Sequence, residues 1–271
     1  MSDVSEPHSA PLLLANRIAQ HFSAIPEVEA VALAGSRLSP LADERSDIDL
    51  YVYGSRIVGP ESRRTAATGA VCAEIGNSTW EPGDEWIDSG SGVSVDVMFR
   101  TTGWIEDQLR RSLELHEASA GYSTCFWYNV RNSLSLYDRS GWFAALQREA
   151  ARPYPEELAH AIVARNHPLL RANLSSYLHQ IELALYRDDP VSVTHRVAAL
   201  LASYFDILFA VNRQPHPGEK RLLQFAPTLC RELPDGMADQ VTALLRSVPD
   251  GPVVGCANRL IDTLDMFLSR R

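Results

Sequence analysis

The chain has 271 residues, enough for one large domain or two ordinary ones, and its 45% hydrophobic content is usual for a soluble globular protein. A formal net charge of −9 and a pI near 5.4 argue against a general nucleic-acid binder, which needs a basic surface to neutralise phosphates. Cys72, Cys125, Cys230 and Cys256 form no CxxC pair and have no histidine at metal spacing, so they read as buried reduced thiols rather than zinc ligands or disulfides. Met1 to Ala10 lacks the basic and apolar regions of a signal peptide. No stretch approaches the roughly 18 uninterrupted apolar residues of a membrane span, so a soluble, cytoplasmic protein with no membrane partner is expected.

Taken in order, residues 11–24 predict a helix with Leu14, Ile18 and Phe22 on one face and Pro11 in its first turn. Val28 to Ala34 predicts a short buried strand that runs into Gly35-Ser36, followed by a polar loop from Arg37 to Ser46. Asp47 to Tyr53 predicts a second strand, with Ile48, Leu50 and Val52 alternating against Asp47, Asp49 and Tyr51. Residues 60–75 read as helical, a Trp/Gly/Asp-rich stretch from Trp80 to Gly92 as a loop, and Val93 to Phe99 as a third strand. Residues 102–118 predict an amphipathic helix, while Tyr122 to Tyr137 fits helix and strand equally, and Asp138 to Gly141 is a turn. Beyond Pro153 and Pro155 the periodicity is helical, over 156–166, 168–187, 190–211, 219–231, 237–246 and 253–269, with a Pro/Gly-broken connector from Val211 to Lys220. The expected fold class is α+β: an N-terminal α/β domain with a mixed sheet over 1–151, then an all-α helical domain over 152–271.

Three carboxylates carry the chemistry. Side chains alternate along a strand, so Asp47 and Asp49 project from one face, and Asp96 stands in another strand between Val95 and Val97, which point the other way. If the two strands are neighbours, the three acids converge. Alone they would raise one another's pKa values and resist ionisation, whereas a divalent cation removes the conflict. Mg2+ suits them, being hard, oxygen-liking and completed by substrate phosphates. Gly35 after a strand lets backbone approach a phosphate, and the Ser36 hydroxyl can donate to it. Together these features would position a triphosphate and its metal for in-line displacement at the α-phosphorus.

Gly35-Ser36, Asp47-Ile48-Asp49 and Val95-Asp96 resemble the signature of the polymerase-β-like nucleotidyltransferase superfamily, over roughly residues 28–99. Within it the chain is similar to the group containing the aminoglycoside and streptomycin adenylyltransferases. The resemblance implies that Gly35 and Ser36 hold the β- and γ-phosphates and that Asp47 and Asp49 ligate metal. It implies that Asp96 completes a metal site or acts as general base, that a helical second half closes the cleft, and that Lys220 neutralises the pyrophosphate leaving group. The implied reaction transfers a nucleoside monophosphate, AMP from ATP, to a hydroxyl of a small molecule with Mg2+; antibiotic modification is one outcome in similar proteins. The alternatives are adenylylation of a protein partner and a nucleotide-binding regulator without turnover.

Other residues have plainer readings beside the functional ones. Arg37 either reaches phosphate or is a solvated loop cation. Lys220 is the only lysine in the chain and follows Pro217-Gly218, which favours a site role, whereas Asn212 suits a helix cap. Glu81, Asp84, Glu85 and Asp88 would either attract a cationic acceptor or form a solvated turn. Trp80, Trp86 and Trp104 fit core or cleft walls, His195-Arg196 a helix surface, and Tyr177, Tyr186 and Tyr204 helix packing.

Overall fold

In a computed structural model, which describes residues 9–38, 46–78, 82–248 and 251–271, the alternating segments pair into one six-stranded mixed sheet. Met1–His8, most of the loop after Leu38 (39–45), and Trp80 and Glu81 lie outside the described residues. The strands are β1 (Val28–Ala34), β2 (Ile48–Gly54), β3 (Ala70–Asn77), β4 (Gly83–Asp88), β5 (Ser94–Thr101) and β6 (Leu134–Asp138). Their order is β3-β4-β5-β2-β1-β6, antiparallel throughout except for the central β2/β5 pair.

One face of the sheet carries Val31, Leu33, Ile48, Leu50, Val52, Trp86, Val95, Val97 and Phe99. Helix α1 (Ser9–Ser23) lays Leu14, Ala15, Ile18, Ala19 and Phe22 on that face, with the Phe22 ring edge-on to Phe99 at 5.5 Å. The turn between α1 and β1 is held by Arg139, whose guanidinium donates to the carbonyls of Ser23, Ile25 and Val28. On the opposite face, Tyr53 stacks on Phe143 at 5.5 Å and packs on Trp142 at 5.6 Å, both in α5 (Trp142–Ala150). Asp138 starts α5 by accepting hydrogen bonds from the backbone amides of Phe143 and Ala144.

The helix expected over 60–75 is replaced by a single turn, α2 (Pro60–Arg63), a 3-10 turn over Arg64–Ala67 and then β3. The expected loop ahead of β5 contains β4, and the two form an edge hairpin. What holds the hairpin is a buried ion pair. Asp84, 0% exposed, lies 3.4 Å from the Arg63 guanidinium and accepts the Gly76 amide at 2.7 Å, and Arg63 also stands over the Phe99 ring. Burial pushes the Asp84 carboxyl up and the Arg63 guanidinium down from their ordinary pKa values.

The chain divides into two compact units, Met1–Leu109 with Asn129–Arg152, and Arg110–Tyr128 with Pro153–Arg271. It crosses between them within α3 (Thr102–Leu113) and α4 (Cys125–Asn132), so a single cut at 151/152 leaves residues 110–128 on the wrong side. That segment belongs with the helices because Asn166 and Asp206 bind its backbone.

The second unit contains α6 (Glu156–Arg171), α7 (Tyr177–Tyr186), α8 (Pro190–Val211), α9 (Leu222–Leu229), α10 (Met237–Arg246) and α11 (Val253–Leu268) around one apolar core. Helix α6 continues through Pro168 instead of breaking there, although proline offers no N–H to the Ala164 carbonyl. The break falls at Ala172, and Ser176 then caps α7. Helix α9 starts later than expected because Arg221 takes a left-handed backbone, φ 55°. Helix α8 is long and apolar enough to cross a membrane by length and composition, a property that counting uninterrupted apolar residues misses. Of its most apolar window, 67% is buried within the protein, as in the core helix of a helical bundle.

Candidate active site

Gly35 follows β1 directly and turns the chain with φ 74°, in the left-handed region that glycine enters without a Cβ clash. A Cβ at this position would stand 1.7 Å from an Asp49 carboxylate oxygen and 2.5 Å from its carboxyl carbon. The carboxylate of Asp49 thus lies against the bare Cα of Gly35, and the glycine-serine turn and the Asp-x-Asp strand are two halves of one arrangement. Residues 36–38 continue as a 3-10 turn; the Ser36 side chain lies outside the described residues.

Strand register brings the next acid in. Asp49 on β2 is the Cα partner of Asp96 on the parallel strand β5, and Asp96 is the partner of Glu85 on β4. Directly opposed residues share a face, so Ala34, Asp49, Asp96, Glu85 and Glu74 form one row across five strands. Asp49 and Asp96 are half-buried, while Glu85 and Glu74 are exposed. The adjacent row, Leu33, Leu50, Val97, Asp84 and Ile75, points into the core on the other side. Farther along the acid-bearing face, Tyr51 stacks beside Tyr53, and Arg100 lies over the Trp104 ring at 4.7 Å. One end of this face is therefore closed by aromatic packing, and the row of acids lies at the other.

Asp47 is the residue just before β2 and is exposed. Among the described residues no group of three or more His, Cys, Asp or Glu side chains is gathered as a metal cage. The carboxylates that could meet a cation are two, half-buried and in register, with Asp47 one step outside the strand. That set fits Mg2+, which usually takes one or two carboxylates and completes its shell with water and substrate phosphates. Arg37 is half-buried, and its Nε has no hydrogen-bond partner among the described residues.

The acidic stretch before β5 resolves into different duties. Asp84 is consumed by Arg63, and Asp88 binds Arg17 at 2.8 Å and the Ser91 amide and hydroxyl. These bonds hold the Asp88 carboxyl below its ordinary range although burial opposes them. Glu85 alone, among the described acids of that stretch, faces Asp96, and the Asn77 amide donates to it at 3.2 Å. Sequence reasoning grouped these acids as one loop; the two-residue alternation within Asp84-Glu85-Trp86 is the signal that separates core from face.

In the second unit Lys220 is exposed, two residues after Gly218, which has φ 105°, and just ahead of the left-handed Arg221 that precedes α9. Asn212 is a clasp: its side-chain amide donates to the Leu208 and Glu232 carbonyls, and its oxygen accepts the Glu232 amide. Trp86 and Tyr204 are buried in their cores, while His195 and Tyr186 are exposed. All four cysteines are free, with Cys230 and Cys256 buried, Cys125 half-buried and Cys72 exposed on β3.

No family model matches the sequence, and no curated relative does. Among solved structures, the chain is similar to a nucleotidyltransferase-like protein from Exiguobacterium sibiricum 255-15 at 12% identity and TM-score 0.45, over 95% of this chain and 74% of that one. It is also similar to the Thermotoga maritima CCA-adding enzyme complexed with tRNA at 14% identity and TM-score 0.34, over 88% of this chain and 57% of that one.

Proposed function

We propose that the protein is a nucleotidyltransferase that moves a nucleoside monophosphate, AMP from ATP, onto a hydroxyl of a small molecule. The observation that carries this reading is the approach of the Asp49 carboxylate onto Gly35, with Asp96 in register beside it. A turn without a side chain leaves backbone amides accessible to phosphate oxygens, and two adjacent carboxylates suit the cation that accompanies a triphosphate. Asp49 and Asp96, with Asp47 at the strand's entry, would hold Mg2+, which supplies charge neutralisation on the phosphates. Gly35, Ser36 and Arg37 would bind the phosphate chain, and the family resemblance gives Lys220 the neutralisation of the pyrophosphate leaving group.

In the transfer, the acceptor oxygen forms its bond to the α-phosphorus while the bond from that phosphorus to the bridging oxygen breaks. The leaving group is pyrophosphate. The acceptor's proton passes to a carboxylate oxygen of Asp96. With Asp84 and Asp88 engaged elsewhere, Glu85 is the described acid of that stretch left to favour a cationic acceptor such as an amino sugar.

The test is incubation with α-labelled ATP, Mg2+ and a panel of hydroxyl acceptors that includes amino-sugar antibiotics, with pyrophosphate and labelled product as readouts. Pyrophosphate release that depends on the acceptor and disappears in Asp49→Asn supports the reading. Label on a protein partner instead would assign the acceptor to a macromolecule. Nucleotide binding without pyrophosphate release on any acceptor would make the protein a regulator and overturn the proposal.

A further inference from the structure

Within the helical unit, residues 119–125 form a strap closed over a buried carboxylate. Asp206 lies in α8 and is 1% exposed; its two oxygens accept the Ser123 amide at 3.1 Å, the Ser123 hydroxyl at 2.6 Å and the Asn166 side-chain amide at 3.2 Å. Asn166, in α6 and 0% exposed, accepts the Gly121 amide at 2.9 Å and donates to the Ser119 carbonyl at 2.9 Å. Gly121 has φ 81°, and a Cβ there would meet the Ala202 Cβ of α8 at 3.0 Å, so the strap lies directly on the helix. Its neighbour Tyr122 is a bulky residue in the same left-handed region, φ 57°, a conformation that persists only when the surroundings enforce it.

The strap in turn holds the connector. The Thr124 hydroxyl oxygen accepts the His216 amide at 2.8 Å, the Tyr122 ring stands edge-on to the His216 ring at 5.1 Å, and the His216 Nδ1 accepts the Gly218 amide at 3.1 Å. One carboxylate therefore anchors a chain of contacts from α8 through residues 121–124 to the segment that carries Lys220.

We infer that Asp206 is the proton-controlled latch of this strap, so that the seating of residues 119–125, and with them the 216–220 connector, changes with pH near neutrality. Three neutral donors compensate the carboxylate, and among the described residues no Arg, Lys or His forms an ion pair with it. Burial pushes the carboxyl up to about 7, against the opposing pull of the Ser123 and Asn166 hydrogen bonds. The titratable groups facing it stay neutral over that range: burial raises Tyr122 and Tyr154 and lifts Cys125 to about 11, while it lowers His216 to about 3. Glu219 acts on Tyr122 and Arg213 on Tyr154, and Arg213 itself is paired with Glu156. On α6, His160 and His167 pair with Glu156 and Asp265.

The sign follows from which state binds the proton. With the strap seated, Asp206 is dry and holds its proton to near neutral pH; with the strap lifted, water restores an ordinary carboxyl. Raising the pH from about 4 to about 7 therefore loosens the strap, and above that range the effect is flat. The consequence for turnover rests on the nucleotidyl-transfer reading of Lys220, whereas the latch itself does not.

The test is amide hydrogen exchange of the full-length protein without nucleotide, between pH 5 and pH 8. The protection of the Gly121 and Ser123 amides, corrected for intrinsic exchange, should fall at least about tenfold over this range. In Asp206→Asn the decline should vanish. An unchanged decline in that variant, or no decline in the wild type, overturns the latch. Carbon-13 titration of the wild-type Asp206 carboxyl gives a reading that does not depend on the variant folding: a midpoint above 6 supports the latch, and one near 4 overturns it. Because no substrate is present, failure of every transfer assay would leave this result standing.

Discussion

The sheet unit and the helical unit hold carboxylates in opposite ways. In the sheet unit, Asp49 and Asp96 stand half-buried and in register, with the Asp49 carboxylate against the bare Cα of Gly35. In the helical unit, Asp206 is sealed beneath a strap and satisfied by three neutral donors. Asp84 shows a third arrangement, fully buried against an arginine. Asp84 and Asp206 are buried against donors, whereas Asp49 and Asp96 stand half-buried opposite one another on neighbouring strands, with Asp49 against a glycine.

This contrast breaks first at the row of acids. Asp49→Asn removes one of the paired charges, and Gly35→Ala drives a methyl into the Asp49 carboxylate. Either change should lower nucleotidyl transfer by at least about 1,000-fold, roughly 4 kcal/mol of barrier, measured as pyrophosphate release. For Asp49→Asn the circular dichroism spectrum should be unchanged, and retained turnover would remove Asp49 from the metal site. Arg63→Met should act oppositely, costing stability and not chemistry. It strands Asp84 without compensation, and urea unfolding should show a loss of about 3 kcal/mol or more. Adding Asp84→Leu to that variant should restore most of the loss, since a buried pair is replaceable by apolar side chains of similar volume.

The helical unit should reveal itself through pH. Because the Asp206 carboxyl is raised in the folded state, its protonated form stabilises that state fully below the unfolded pKa, and the contribution is lost as pH rises toward 7. Stability of the wild type should fall by an amount of order 2 kcal/mol between pH 5 and pH 7.5, and Asp206→Asn should flatten that slope. The smallest effect expected is that of Lys220→Ala. Removing this exposed cation should reduce kcat/KM for nucleotide about tenfold, with no change in the urea midpoint. An unaltered kcat/KM would confine the site to residues of the sheet unit.

What could be read in advance follows the strength of local pattern. Strands β1, β2 and β5 alternate or run apolar because both their faces are covered over much of their length, and the Gly35-Ser36 and Asp47-Ile48-Asp49 spacing rides on that alternation. The β3/β4 hairpin could not be read in this way. As an edge element, β3 is mostly exposed, and Ala70-Val-Cys-Ala-Glu favours a helix on composition, while tertiary pairing with Arg63 and Asp84 decides otherwise. Register was also invisible: nothing local to Asp96 says that Glu85 lies opposite it. Asp206 did leave a trace, since an acid inside the apolar run Tyr204-Phe-Asp-Ile-Leu-Phe209 has no solvated face to occupy. Its partners, Ser123 and Asn166, are 83 and 40 residues away in sequence, beyond any local pattern.

Helix α8 also bears on how the protein is made. Its core neighbours come from both sides in the chain: α6 and α7 precede it, but α10 and α11, which complete the same core, are synthesised afterwards. While the polypeptide emerges, Pro190–Val211 is thus a greasy segment of membrane-spanning length that lacks part of its eventual cover. Folding must outpace capture by lipid, chaperone or another nascent chain. Lesions that delay the docking of the final helix should therefore surface as losses in yield before they register as losses in catalysis.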